Sequence, residues 1–185
     1  MEQWFFKTTE YAEELLKGLD KLEDWPETTK KIQSNWIGKS NGSEIRFMDA
    51  YGKFDISVFT TRPDTINGVS YIVVAPESDL VTQITKEEYR EDVRKYIEQT
   101  GRLTEIERLS SEREKTGVFT GAYVVNPING EKIPVWIADY VLDDYGTGAV
   151  MAVPAHDKRD YEFAKKYKLT IKEVILGNES REYTL

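Results

Sequence analysis

The sequence predicts an α+β chain that is mainly β, a barrel-like sheet carrying helical decorations. Three observations lead there. From Ile45 onward, apolar residues alternate in short runs, the period of a half-buried strand. Glycine, proline and asparagine turns separate those runs. Helical spacing occurs in only a few segments, and these do not form the regular βαβ units of a doubly wound fold.

Residues 1 to about 36 read as a helical pair distinct from the rest of the chain. Tyr11, Leu15, Leu16, Leu19 and Leu22 recur at helical spacing, with Thr8 or Thr9 as a candidate cap. Pro26 suits the start of a second helix through about Gln33. Trp4, Phe5, Phe6, Trp25 and Trp36 are many large rings for so short a piece. They either pack the two helices together or face another domain.

Ile45–Phe47 and Phe54–Val58 alternate across Tyr51-Gly52, a hairpin. Val69–Ala75 is a nearly continuous apolar run, hence a central strand. Asp79–Ile84 reads as either a short helix or coil. Lys86–Gln99 is a helix with Tyr89, Val93, Tyr96 and Ile97 on one side, stopped by Gly101. Glu105–Lys115 is a charge run expected as a solvated helix or loop, or as a carrier of contacts to a partner. A strand follows from Gly117 through Val125, then Asn129-Gly130 turns the chain into Ile133–Ala138, continued by Tyr140–Leu142. Pro134 points to a strand start or an edge. Ala149–Val153 is a strand, His156–Lys166 opens into a helix, and Val174–Leu176 is a last short strand.

Two polar clusters interrupt this pattern. The first is Thr60-Thr61-Arg62-Pro63-Asp64-Thr65, a polar loop between two apolar runs. Pro63 fixes its own φ and pushes Arg62 toward extended backbone, so the hydroxyls before it are held. Held hydroxyls both donate and accept hydrogen bonds. The loop is either a surface connection or the lip of a pocket for a small polar ligand. The second cluster is His156-Asp157-Lys158-Arg159-Asp160. Asp157 and Asp160 sit three apart at a helix start, where carboxylates either cap backbone donors or meet a ligand cation. His156 is the chain's single histidine; on its own it reads as structural. Gly146-Thr147-Gly148 lacks the lysine and spacing of a phosphate-binding loop.

The 185 residues carry a formal net charge of −8, which disfavours free-standing nucleic-acid binding but leaves room for local basic patches. There is no cysteine, so disulfide and thiol chemistry are excluded, and structural zinc is not expected. The start of the chain has no basic apolar signal, and no apolar run is long enough for a membrane span.

Taken together, Thr60–Thr65 and the run Gly146-Thr147-Gly148-Ala149-Val150-Met151-Ala152-Val153-Pro154-Ala155-His156-Asp157-Lys158-Arg159-Asp160-Tyr161-Glu162-Phe163 resemble the editing domain of leucyl-tRNA synthetase, of the bacterial or organellar type. Asn35–Ser40 is similar to the junction where that domain leaves the synthetic core, and Gly117–Gly121 also fits. The resemblance implies the barrel-like editing fold of class I aminoacyl-tRNA synthetases over 37–185, with 1–36 as a flanking piece of the core. Neither nucleotide-binding signature of the synthetic core is present, so ATP and Mg belong to the full-length enzyme and editing itself needs no cofactor.

The resemblance also implies hydrolysis of the ester between a wrong amino acid, norvaline or isoleucine, and the terminal adenosine of leucine tRNA. Asp160 would bind the α-ammonium, and Thr65 would exclude leucine. Thr60 and Thr61 would line the reaction centre. Met151 and Val153 would wall the pocket, and Tyr145 would lie near the terminal nucleotide. Arg62 and Asp64 would hold the loop, Arg159 would meet the tRNA end, and His156 and Asp157 fall with the substrate-binding residues. Ala155 departs from the Gly common in bacterial members. No general base stands out; water positioned by the threonines and the neighbouring ribose hydroxyl is expected. The implied partners are the 3′ end of leucine tRNA and the rest of a synthetase, with no membrane, a monomeric fragment and a cytoplasmic location. Rival readings are the editing domain of an isoleucyl- or valyl-tRNA synthetase and a non-catalytic module for a tRNA 3′ end.

Overall fold

The computed structural model describes residues 6–110, 113–143 and 146–176. The chain divides into two compact units, Met1–Asn41 and Gly42–Leu185. Trp4 and Phe5, two of the rings noted in the sequence, lie outside the described residues, as does the tail from Gly177.

In the first unit a 3-10 turn, Thr8–Tyr11, runs into α1, Ala12–Leu19, without a side-chain cap from either threonine. Helix α2 spans Glu27–Ile37, longer than the sequence suggests, and ends where Gly38 adopts a φ of 62°. Neither helix buries a residue, and Trp36 is 88 % exposed. Trp25 and Trp36 therefore do not close a core between the two helices. They border an open apolar groove of about 750 Å³, lined by Leu15, Leu19, Leu22, Trp25 and Trp36.

The second unit is built on one six-stranded sheet. Its strands are β1 Ser43–Asp49, β2 Asp55–Thr60, β3 Tyr71–Val74, β4 Gly117–Val125, β5 Lys132–Ala138 and β6 Ala149–Ala152, in the order β2-β1-β4-β5-β3-β6. Among the described residues only β3 and β5 pair in parallel. The expected barrel is not formed. Closure requires each strand to bond two neighbours, and β2 and β6 each bond one, leaving an open mixed sheet. Nor is the chain mainly β: α3 Leu80–Ile84, α4 Arg90–Thr100, α5 Glu105–Leu109 and α6 Lys158–Tyr167, with α1 and α2, hold more residues than the strands. This is an α+β fold.

Strand β3 is fully buried because both faces of the sheet are covered. Ile72 and Val74 face a core with Phe47, Val58, Val124, Val81 and Val93 from β1, β2, β4, α3 and α4. Tyr71 and Val73 face a second core with Tyr140, Phe163 and Ala164, where α6 packs. Tyr71 stacks on Phe163 with ring centroids 5.1 Å apart.

Several local expectations are corrected. Asp139 and Tyr140 form a turn, with Val141 N–H bonded back to Ala138 O, and Val141, Leu142 and Val174–Leu176 are irregular. Pro134 lies inside β5, an interior strand. It is tolerated because β3 pairs only from Val135 onward and β4 changes register between Phe119 and Tyr123. The charge run is not simply solvated: Arg108 and Lys115 are buried. Arg108 donates to Asp139 O, Val141 O and the Glu77 carboxylate, and Lys115 to Arg108 O and Ser110 O. No helix among the described residues is long and apolar enough to cross a membrane.

Candidate functional site

The threonine cluster begins at the end of β2. Thr60 Oγ1 accepts the N–H of Arg62 at 3.0 Å, a local turn made before the backbone reaches Pro63. Pro63 then opens a 3-10 helix, Pro63–Gly68, where the sequence suggests an irregular loop. Arg62 forks onto Asp64, with Nε and Nη2 at 3.1 and 3.0 Å from the two carboxylate oxygens. That donation holds the Asp64 carboxyl below the usual range, and the charge of His156 adds to it. Thr65 is buried, and its hydroxyl donates to Arg62 O at 2.8 Å. Asn126 Nδ2 anchors the turn by donating to Ile66 O at 2.9 Å. Thr61 is exposed, and its hydroxyl has no protein partner among the described residues.

The second cluster leaves β6. His156 and Asp157 fold back with both N–H groups on Val153 O. Asp157 caps α6, accepting from the N–H groups of Arg159 and Asp160 at 2.8 and 3.1 Å. Asp160 does not share that role. Its carboxylate is buried, with Oδ2 accepting the Val153 N–H at 2.8 Å and Oδ1 approached by the Tyr140 hydroxyl at 3.4 Å. Tyr71 donates to Asp160 O at 3.1 Å. Burial pushes the Asp160 carboxyl up to about 7, and the Asp157 charge adds to the rise; Val153 N–H, Arg159 and Tyr140 oppose it. Burial also raises both tyrosine hydroxyls above their ordinary value, so each remains a donor at neutral pH.

Strand pairing brings the clusters to one end of the sheet. β3 and β6 run antiparallel, Tyr71 opposite Ala152, and Ser70 N–H continues the ladder onto Ala152 O at 3.0 Å. The segment entering β3 therefore lies beside the segment leaving β6. Met151 is buried opposite Ile72, and Val153 packs half-buried on the same core. Arg159 sits by Asp157 with its guanidinium 5.9 Å from the Tyr140 ring. His156 Nε2 accepts from Val174 N at 3.4 Å. The threonines and Asp160 share no hydrogen bond with one another among the described residues. Tyr145 lies outside those residues.

Tyr71 and Tyr140, which surround Asp160, do not stand out as site residues in the sequence. The available signal is a phenol inside the aliphatic run Val69–Ala75, a hydroxyl that needs a buried partner. Chemically, the arrangement offers a buried carboxylate with spare acceptor capacity, an unpartnered hydroxyl and a wall of apolar side chains. Among the described residues no cluster of three His, Asp or Glu could hold a metal ion.

Comparisons with known proteins identify the family. Residues 34–185 match the family model described as leucyl-tRNA synthetase, editing domain. The chain is 59 % identical over 183 residues to a leucine–tRNA ligase of Clostridium kluyveri, covering 99 % of this chain and 22 % of that protein. It is 57 % identical over 182 residues to the leucine–tRNA ligase of Borrelia hermsii, with 98 % and 22 % covered. A leucyl-tRNA synthetase of Agrobacterium radiobacter K84, crystallised as a ternary complex with tRNA and LeuAMS, aligns at 39 % identity with a TM-score of 0.78, covering 98 % of this chain and 23 % of that one. The chain thus spans under a quarter of the length of the relatives it matches.

Proposed function

The chain belongs to the leucyl-tRNA synthetase editing-domain family, and from that premise we propose that it hydrolyses the ester of mischarged leucine tRNA. The match to the leucyl family disfavours the isoleucyl and valyl alternatives. The observation that carries the reading is the buried Asp160 carboxylate, at the same end of the sheet as the threonine cluster.

In this reading the α-ammonium of norvaline or isoleucine binds Asp160. A charged partner lowers the cost of ionising a buried carboxyl, so substrate binding and loss of the Asp160 proton are coupled. The ester then lies toward Thr60 and Thr61. A water oxygen attacks the carbonyl carbon, the bond to the ribose oxygen breaks, and that oxygen takes a proton. Thr61 and the adjacent ribose hydroxyl position the water; positioning, not an activated side-chain nucleophile, supplies the rate. Hydroxyl and backbone donors meet the developing oxyanion. Met151 and Val153 wall the side-chain pocket, Arg159 and Tyr145 contact the tRNA end, and Thr65 refuses a γ-branched side chain. Exclusion by shape suits this task, because a pocket that only attracts separates one methylene by about 1–3 kcal/mol.

The reaction as written uses no metal or cofactor. Its natural partners are the 3′ end of leucine tRNA and the rest of a synthetase, in keeping with translation in the cytoplasm; the chain itself would act as a monomer. The test is release of free norvaline from norvalyl-tRNA by this chain, compared with leucyl-tRNA. Release from the first and not the second is expected. Binding without release from either would favour a non-catalytic module for the tRNA end.

A further inference from the structure

The β1–β2 turn, the segment after α3 and the middle of β4 enclose a cleft of about 400 Å³. None of its lining residues belongs to the threonine cluster or to α6. Three lysines, Lys53, Lys86 and Lys132, line it. The chain carries a net charge of −8, and many of its cationic side chains are in ion pairs. These three form none among the described residues. The only carboxylate lining the cleft among the described residues, Asp49, is turned back on its own hairpin, where Oδ2 accepts the N–H groups of Tyr51 and Lys53 at 3.2 and 3.4 Å. Two phenol rings are presented there, Tyr51 at 83 % exposure and Tyr123 at 42 %. Lys53 Nζ lies 5.9 Å from the Tyr51 ring centroid.

Cations without carboxylate partners concentrate negative ligands locally even on an acidic protein. Exposed rings beside them add a surface on which a flat base can stack. Phosphate-binding lysines interleaved with stacking aromatics are what a single strand of nucleic acid requires. We infer that this cleft binds one to three unpaired nucleotides of an RNA strand, phosphates on Lys53, Lys86 and Lys132 and bases on Tyr51 and Tyr123. The inference does not depend on ester hydrolysis, and it concerns a surface separate from the proposed editing site.

The test is fluorescence anisotropy of a labelled eight-nucleotide oligoadenylate titrated with this chain at several salt concentrations. With three phosphates engaged, affinity should fall about twentyfold between 50 and 200 mM salt. The variant K53A/K86A/K132A should bind at least about tenfold more weakly and flatten that salt dependence. The variant Y51A/Y123A should also bind about tenfold more weakly while keeping the salt slope. All five side chains are on exposed or open positions, so the variants should fold. Unchanged affinity in the lysine variant overturns the inference. Equal binding of inorganic polyphosphate, together with no loss in the tyrosine variant, overturns it too, because the cleft would then be a charged patch without base recognition. A chain that binds the oligonucleotide but deacylates nothing would sink the proposed editing activity and leave this cleft standing.

Discussion

Asp160 Oδ2 accepts the backbone N–H of Val153 at 2.8 Å, tying the first turn of α6 to the residue that leaves β6. A carboxylate held by one backbone donor in a buried setting is both positioned and electrostatically strained. Its carboxyl titrates near 7 instead of near 4, so its charge changes within the working range of an enzyme.

Hydrolysis should therefore depend on pH through Asp160. Ammonium binding needs the ionised form, which is the minor species below about 7. With substrate held below saturation, kcat/KM for norvalyl-tRNA should fall about tenfold for each pH unit below that point. Asp160→Asn, which keeps the acceptor for Val153 but not the charge, should be slow and nearly flat from pH 6 to 8. A wild-type profile that is flat over this range would remove Asp160 from the ammonium site.

Stability should move the other way. The folded value, about 7, lies above the 3.8 of the free group, so the folded state holds an extra proton between them. That contribution is fully present below about 4 and is lost as pH rises through about 7. The burial of the ionised group at pH 8 costs on the order of 4 kcal/mol relative to the protonated form. Asp160→Asn should thus gain stability over wild type at pH 8 and little at pH 4, read from urea midpoints. An equal effect at both pH values would mean the shift is absent.

These dependences are not legible in the sequence, and the reason is geometric. Periodicity locates β4 at Gly117–Val125 and places the Asn129-Gly130 turn after it, because a hairpin's signals are local. Asp157 and Asp160 look equivalent at a helix start, yet one caps the helix and the other turns inward toward Tyr140. Only the tertiary packing of α6 on Tyr71 and Tyr140 separates them. The expectation of barrel closure fails for a similar reason: whether β2 bonds β6 depends on two distant edges, and no local pattern records it. Arg108 sits in a stretch whose composition reads as solvated, and its partners are carboxylate and carbonyl groups about thirty residues away in sequence.

Thr65→Ala should convert exclusion into tolerance. Thr65 is 1 % exposed, and its hydroxyl is committed to Arg62 O, so its side chain is fixed. Removing it opens space and takes one of two donors from Arg62 O, which keeps the Thr65 N–H, at a stability cost of about 1 kcal/mol. Release of leucine from leucyl-tRNA should rise at least about tenfold above the parent, the size of step one added methyl group is worth. Negligible leucine release by a folded variant would take the gate away from Thr65.

Gly68 tests how the site is backed. A Cβ there would come within 2.9 Å of Val174 Cγ2 and 3.2 Å of Lys172 O. Gly68→Ala should push that stretch of backbone away, disturbing the neighbouring contact between His156 Nε2 and Val174 N. A loss of about 1–3 kcal/mol in unfolding free energy is expected. A stability unchanged within about 0.5 kcal/mol would show that the crossing segment yields freely.

Arg108 links the buried charge run to Tyr140. Its Nε donates to Asp139 O at 2.7 Å and its Nη2 to Val141 O at 2.6 Å, the carbonyls on either side of Tyr140. Nη1 reaches Glu77. The guanidinium thus sets the backbone that aims the Tyr140 hydroxyl at Asp160. Arg108→Ala strands two carbonyls, while the part-exposed Glu77 carboxylate keeps the Asp143 N–H, and should cost about 2–3 kcal/mol of stability. Arg108→Lys should recover only part of that, since one ammonium lacks the fork that spans both carbonyls. Function separates positioning from mere stability. The Tyr140 donor lowers the Asp160 value, so losing its aim should move the pH midpoint of hydrolysis upward. Tyr140→Phe should produce the same upward shift with little change in the Glu77 contact. If Arg108→Ala weakens the fold while leaving the midpoint where Tyr140→Phe moves it, Arg108 braces the chain without orienting the site.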